Sequence, residues 1–236
     1  MIASLPMYDL PALRAETDAL WAAIRDQIRA RGEDAPQMLD RTRTAREVWT
    51  DPALVLSQTC GMPWRLGLHQ AAKLVGTPDY GVEGCPPGYY CSAIVVRADD
   101  LREKRSDFAD GICAFNGPES QSGFAAWEGF AFAAWHETGA HALSISAVAS
   151  GAADIAAIDA VTWRLAVAHQ PEAAALRVLE WTKPTPGLPF ITAQGRKGAV
   201  LAEAVTAGIA ALDPAVQRAL GIAGFVQIPS AAYLAV

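Results

Sequence analysis

Two serines separated by one glutamine, Ser120-Gln121-Ser122, are the residues whose types and spacing best suit a chemical task. They lie in Asn116-Gly117-Pro118-Glu119-Ser120-Gln121-Ser122-Gly123-Phe124, directly after the apolar run Ile112–Phe115. Such a run reads as a buried strand that ends at a glycine-proline turn, with the serines where a helix is expected to begin. The first N–H groups of a helix have no intrahelical partner, and that end carries a partial positive charge. Hydroxyls added there complete a socket for a tetrahedral oxyanion without lysine or arginine. The same residues also suit an ordinary N-cap that only stabilises the helix end. Taken alone, the segment fits either reading.

Four other places offer polar groups at the ends of expected elements. His141, in Gly139-Ala140-His141, precedes an amphipathic stretch, so it sits either near a second helix N-terminus facing an anion or at the surface as a cap. Asp159 follows the apolar run Ile155–Ile158 and either points at a ligand or caps the helix that follows. Ser57-Gln58-Thr59 ends a strand that starts at Leu54, and Tyr8 follows the first strand, so both offer neutral donors. Catalytic patterns are absent: there is no G-x-S-x-G elbow around Ser122, no phosphate-binding G-x-x-x-x-G-K-[ST] and no G-x-G-x-x-G. Cys60 and His69 form a pair only if the fold joins them, and no third orienting group is evident. No catalytic residue, metal ligand or cofactor is expected.

The elements that must position these groups follow from pattern. With 236 residues the chain can build one large domain or two lobes, and 52% hydrophobic against 19% charged residues is ample for a packed core. A net charge of −6 argues against nucleic acid or an anionic membrane surface as partner. No apolar run is long enough for a membrane span. Cys60, Cys85, Cys91 and Cys113 contain no C-x-x-C pair and no histidine at ligand spacing. A Cys60–Cys85 disulfide is compatible with their positions beside turns, and four thiols is the default state. Met1-Ile2-Ala3-Ser4-Leu5 has no leader character. The expectation is a periplasmic protein if a leader was removed, and a cytoplasmic one if the chain is complete as it stands.

Strands are expected at 2–5, 54–58, 74–77, 93–97, 112–115, 154–158, 177–181 and 190–192, alternating with helices in the manner of α/β proteins. The first helix shows Leu13, Leu20, Trp21, Ile24 and Ile28 on one face, with Asp9 as expected cap and Pro11 in its first turn. Val200, Leu201, Val205, Ile209 and Leu212 mark another helix. Asp213-Pro214 then opens a last short one that Gly221 closes. Two Pro/Gly-rich stretches, 81–88 and 184–189, set off a block of domain size between them. Two crossings between two α/β lobes describe a hinged pair with a cleft, where ligands meet the carboxyl ends of strands.

Pro87-Gly88-Tyr89-Tyr90, the strand 92–97, the serine-bearing stretch Gly117 to Phe124, Gly139-Ala140-His141 with Ala152, Asp154, Ile155 and Ala156, and Pro186-Gly187-Leu188-Pro189 occur in a familiar order. In these residues the chain resembles the phosphate/phosphonate-binding components of ABC transporters, which have the type II periplasmic-binding-protein fold. The resemblance implies an α/β protein of two lobes, with mixed, mainly parallel sheets joined by a two-strand hinge. Lobe 1 is expected at 1–86 and 185–236, and lobe 2 is inserted at 87–184, with the ligand cleft between them. It also implies that Ser120 and Ser122 hold an oxyanion where the family has S-T-S-G-F, Gln121 replacing threonine, and that His141 contacts the same group. Leu188 stands where aminophosphonate binders carry an acid, and Asp159 is the strand-end acid that remains.

The reading is a solute-binding protein that captures a phosphate- or phosphonate-like anion by lobe closure and passes it to an ABC permease. Its ligand-binding residues are Ser120, Gln121, Ser122, His141, Asp159, Tyr8, Ser57, Gln58 and Thr59. The alternative is a cytoplasmic enzyme or sensor that uses the same fold for a small phosphorylated metabolite.

Overall fold

Uninterrupted apolar runs and helix-period stretches alternate along the chain, and most become the element their pattern dictates. The computed structural model describes residues 1–236. It begins with β1 (Ile2–Ser4), α1 (Arg14–Ala30), α2 (Ala45–Trp49), β2 (Leu54–Gln58), α3 (Gly61–Pro63), α4 (His69–Ala71) and β3 (Ala72–Asp79). Next come β4 (Tyr89–Tyr90), β5 (Ser92–Arg97), β6 (Ile112–Phe115), β7 (Ala134–Glu137), α5 (His141–Ala149), β8 (Ile155–Asp159), α6 (Ala160–His169) and β9 (Leu176–Trp181). The chain ends with β10 (Thr185–Pro186), β11 (Phe190–Ala193), α7 (Gly198–Ala210), α8 (Pro214–Leu220), β12 (Gly224–Val226) and α9 (Ser230–Leu234). Two units result: Met1–Tyr89 with Pro186–Val236, and Tyr90–Thr185. No single helix is long and apolar enough to cross a membrane.

The first unit holds a sheet of order β1-β2-β11-β3-β12. β1 lies parallel to β2, whereas β11 is antiparallel to both β2 and β3, so β1, β2 and β3 point one way. On one face Leu20, Trp21, Ile24 and Ile28 of α1 meet Leu201, Val205 and Ile209 of α7 over Leu56, Val75 and Phe190. The other face buries Ile2, Leu54 and Ile191 under Trp49, Trp64 and Tyr233. Burying both faces explains why Leu54–Gln58 is inaccessible at every position rather than alternating. Cys60 and Cys85 are half-buried in this unit, and the structure has no disulfide between them.

The second unit repeats the plan with the order β7-β6-β8-β5-β9. β6 is parallel to β7 and β8, and β5 is antiparallel to both β8 and β9, so four strands share a direction and β5 alone opposes them. Both reversed inner strands, β5 and β11, are the first of their sheets that the chain makes after it crosses between units. Ile145 and Val148 of α5 and Trp163 of α6 seal one face, and Phe108, Trp127 and Phe132 seal the other.

Some local expectations need correction. Asp9 does not cap α1, which is entered through a tight 3-10 turn over Pro11–Leu13; the Asp9 carboxylate is gripped instead by Arg41 through two bonds of 2.5 and 3.1 Å. A bidentate charged pair is stronger than a cap, so the arginine wins. Asp213 does cap α8, and Gly221 closes it at a φ of 64°, but α9 comes after it, so α8 is not the last helix. β7 and β12 were not foreseen, since neither carries a buried alternation: all four residues of β7 are exposed and all three of β12 are half-buried.

The crossing segments pair as a small ribbon, β10 with β4. Beside it the Gly187 N–H donates to the Gly88 carbonyl at 2.8 Å, and a Cβ on Gly187 would stand 2.5 Å from that same oxygen. Backbone on both sides leaves nothing cheap to move. Gly187→Ala is therefore expected to destabilise the protein by about 1–3 kcal/mol. Urea melts of the two proteins give the comparison, and an unchanged midpoint would show that the ribbon opens without cost.

Candidate functional site

β6 ends at Phe115, and the loop that leaves it is held by bonds from three directions. The Thr138 N–H and hydroxyl both donate to the Phe115 carbonyl, at 2.8 and 3.0 Å. Ser92, the first residue of β5, donates its hydroxyl to the Ser122 carbonyl at 3.1 Å. Within the loop, the Ser120 carbonyl accepts from the N–H groups of both Phe124 and Ala125, while the Ser120 hydroxyl oxygen accepts from the Gly123 N–H at 2.9 Å. The α-helix expected to begin at the serines is absent. Bonds reaching back five residues as well as four make a wider turn than an α-helix, and the loop runs on into the short 3-10 helix Ala125–Trp127.

Capping does not exhaust Ser120. A hydroxyl has one proton and two lone pairs, so accepting the Gly123 N–H leaves the proton for another partner. Ser120, Gln121 and Ser122 are all buried. The Ser122 hydroxyl lies 2.8 Å from His141 Nε2. His141 is the first residue of α5, so a long-range hydrogen bond closes the loop onto a helix N-terminus. Burial drives the imidazole down from 6.5 to about 4, which makes it neutral near pH 7.

Two polar atoms at this place are buried and unbonded, His141 Nδ1 and Asn116 Oδ1. Gly123 stands between them. A Cβ there would come within 2.0 Å of Asn116 Oδ1 and 3.2 Å of His141 Cε1. Asn116 and Gly123 were missed as site residues, although both lie in the same stretch as the two serines; the signal was that Asn116 is the first polar residue after β6. The polar groups of Asn116, Ser120, Ser122 and His141 are bonded to no lysine or arginine.

The other expected residues are placed differently. Asp159 ends β8 opposite Ser92 of β5, and its Oδ1 accepts from the N–H groups of Val161 and Thr162 at 2.8 and 2.9 Å. The helix cap is therefore present, and it uses one of the two carboxylate oxygens. In the first unit the Gln58 amide donates to the Leu188 carbonyl at 3.2 Å and to the Tyr80 hydroxyl at 3.4 Å. Gln58 thus ties β2 to the returning segment. Thr59 does the same through its N–H to Pro189, and its hydroxyl donates to the Cys60 carbonyl. Ser57 is fully buried in the sheet, its hydroxyl unbonded. Tyr8 meets the ring of Tyr80 edge-on with centroids 4.9 Å apart. Tyr80 was missed, although it follows β3 just as Tyr8 follows β1.

Two measurements test this geometry. The unfolded chain protonates His141 near 6.5 and the folded protein near 4, so between those values the unfolded state binds more protons. Stability is then full above about pH 6.5 and falls as pH is lowered toward 4, by at most about 3 kcal/mol for one ring that keeps some exposure. Denaturant melts across this window should show the slope, and His141→Gln should flatten it. Gly123→Ala should cost about 1–3 kcal/mol, because its methyl must displace Asn116 or the imidazole. A melting temperature equal to that of the parent would show that the loop has room to spare.

The chain superposes on PhnD1 from Prochlorococcus marinus in complex with methylphosphonate at a TM-score of 0.73 and 14% identity, covering 98% of this chain and 94% of that one. It superposes on XAC2383 from Xanthomonas citri, bound to chloride ion, at 0.68 and 18% identity, covering 98% and 92%. The binding protein component of an ABC phosphonate transporter from Pseudomonas aeruginosa gives 0.64 and 12%, covering 95% and 80%. At such identities these likenesses show the fold, the two-lobe architecture of periplasmic binding proteins. No curated protein matches by sequence. The profile described as "ABC transporter, phosphonate, periplasmic substrate-binding protein" matches residues 65–233, most of the chain. The chain therefore belongs to the family of phosphonate substrate-binding proteins of ABC transporters, whose members capture a solute for transport and are not enzymes.

Proposed function

We propose that the ligand is a small phosphonate or phosphate without an amine, and that Ser120, Ser122 and His141 hold its oxyanion. The observation that carries this is the Ser122–His141 pair, in which the hydroxyl and the imidazole are bonded to each other and not to a lysine or arginine. In either tautomer of the neutral imidazole one proton of the pair is left for an incoming oxygen. With Nε2 donating to the serine, the Ser122 hydroxyl donates onward; with Nε2 accepting, Nδ1–H is the donor. The Ser120 proton adds a second donor, and the N-terminus of α5 adds the favourable end of a helix dipole. Hydrogen bonds to a charged oxygen are the strong kind, and such a site suits an oxyanion without any cationic side chain.

The lack of an amine is argued from carboxylates. An ammonium taken out of water needs an opposite charge. Asp159 spends its Oδ1 on the first turn of α6, and Leu188 stands where the resemblance expects an acid. PhnD1 of Prochlorococcus marinus, with its bound methylphosphonate, has a ligand of the proposed class.

Calorimetry with methylphosphonate, phosphate and 2-aminoethylphosphonate tests the proposal. Ser122→Ala and Ser120→Ala should each lose about 1.5–3 kcal/mol of binding to the preferred anion. Unchanged affinity in both would overturn the socket. Tighter binding of 2-aminoethylphosphonate than of methylphosphonate, with Asp159→Asn abolishing the advantage, would overturn the selectivity.

A further inference from the structure

One acceptor beside the two serines is left over. Asn116 is the first residue after β6, and its Oδ1 is buried without a hydrogen bond. Its place is fixed from both sides. The Thr138 N–H and hydroxyl hold the Phe115 carbonyl next to it, and a Cβ on Gly123 would stand 2.0 Å from the Oδ1 itself. His141 Cε1 lies 3.2 Å from the same Cβ position, so the amide oxygen and the imidazole border one spot beside Ser122. Buried acceptors ordinarily have a donor, and no donor of the chain reaches this one.

The serines and the imidazole, by contrast, have protons to give. Ser120 supplies one and the Ser122–His141 pair another, whichever tautomer the ring adopts. Two donors and one acceptor match a singly protonated phosphonate, whose two ionised oxygens accept and whose P–OH donates. We propose that Asn116 reads a proton on the ligand: its Oδ1 accepts from the P–OH, so the protein takes the monoanion and discriminates against a fully ionised tetrahedral anion such as sulfate. The inference rests on the proposed oxyanion socket and adds the charge state that it selects.

A dianion would bring a third ionised oxygen against Asn116, lone pair facing lone pair, and would leave a buried acceptor unpaired. Glu137 of β7 works in the same direction. A Cβ on Gly117, the residue after Asn116, would lie 3.8 Å from its Oε1, and a carboxylate so close disfavours a second charge on the ligand. The other titratable groups on the loop and the elements around it are His141 on α5, Glu119 in the loop and Asp159 at the end of β8. Burial has stripped His141 of its proton well below pH 6. The ligand's own last proton is the one that changes above that, since phosphoryl groups lose it at about 6 or somewhat higher.

The test uses the full chain. Methylphosphonate and sulfate are titrated by calorimetry at about pH 6 and about pH 8.5, in buffers of different ionisation enthalpy, and phosphorus NMR reads the protonation of bound methylphosphonate. Apparent affinity for methylphosphonate should fall by about tenfold or more between the two values, because only the protonated fraction binds. At the higher pH, binding should take up about one proton, and the bound phosphorus should keep the shift of the monoanion. Sulfate should bind about tenfold or more weakly than methylphosphonate at the lower pH, with no proton taken up. Asn116→Ala should flatten the pH dependence and narrow the gap to sulfate, with its melting temperature reporting that it is folded. The NMR result stands on the wild-type protein alone. A dianion shift in the bound state would overturn the inference, and would mean that Asn116 turns its Nδ2 to the ligand. Equal proton uptake with sulfate would overturn it too, since the proton would then sit on His141. A protein that binds neither anion overturns the oxyanion socket itself, whereas one that binds methylphosphonate equally at both pH values overturns only the reading of the proton.

Discussion

A neutral imidazole bonded to a serine hydroxyl fastens the loop after β6 to the first turn of α5, and the character of the site comes from keeping that ring uncharged. An imidazolium would be disfavoured by burial, and disfavoured again by the positive end of the helix on which it stands. The helix end, unlike burial, favours an anion at the same place. On the proposed reading the site needs no cationic side chain, and its specificity would come from donors fixed in space. Fixing them takes the Ser92 hydroxyl on one side, Thr138 on another, and a glycine at 123 where any side chain would collide with Asn116.

Much of the fold was legible because apolar content alone dictates it. Runs such as Leu54–Gln58 and Ile112–Phe115 contain no charge and stand as the observed strands. β7 was illegible for the opposite reason. Ala-Trp-His-Glu at a sheet edge is exposed throughout, and its pairing with β6 is backbone chemistry that no side-chain pattern announces.

For the candidate site, the meeting of its residues was more legible than the local structure that joins them. Ser120 and Ser122 stand in one loop with His141 bonded to it, which motif order suggested, but the loop is a wide turn and not a helix start. Asp159 and Gln58 show the limit of reading polar residues at strand ends. A carboxylate beside free N–H groups caps them, and an amide beside a passing backbone carbonyl bonds it, and neither neighbour is visible in sequence. Asn116 is the converse case: its side-chain oxygen is buried without a partner, which only packing reveals.

The position of β11 has a consequence for the order in which the molecule is made. It lies between β2 and β3, yet it is encoded after the entire second unit. The second unit is continuous from Tyr90 to Thr185 and has every strand of its sheet before β11 leaves the ribosome. Until then β2 and β3 each present an unpaired edge made mostly of residues that end up buried, and open edges of that kind recruit wrong partners. The half synthesised first is thus the half completed last, and its most aggregation-prone interval spans the making of the other.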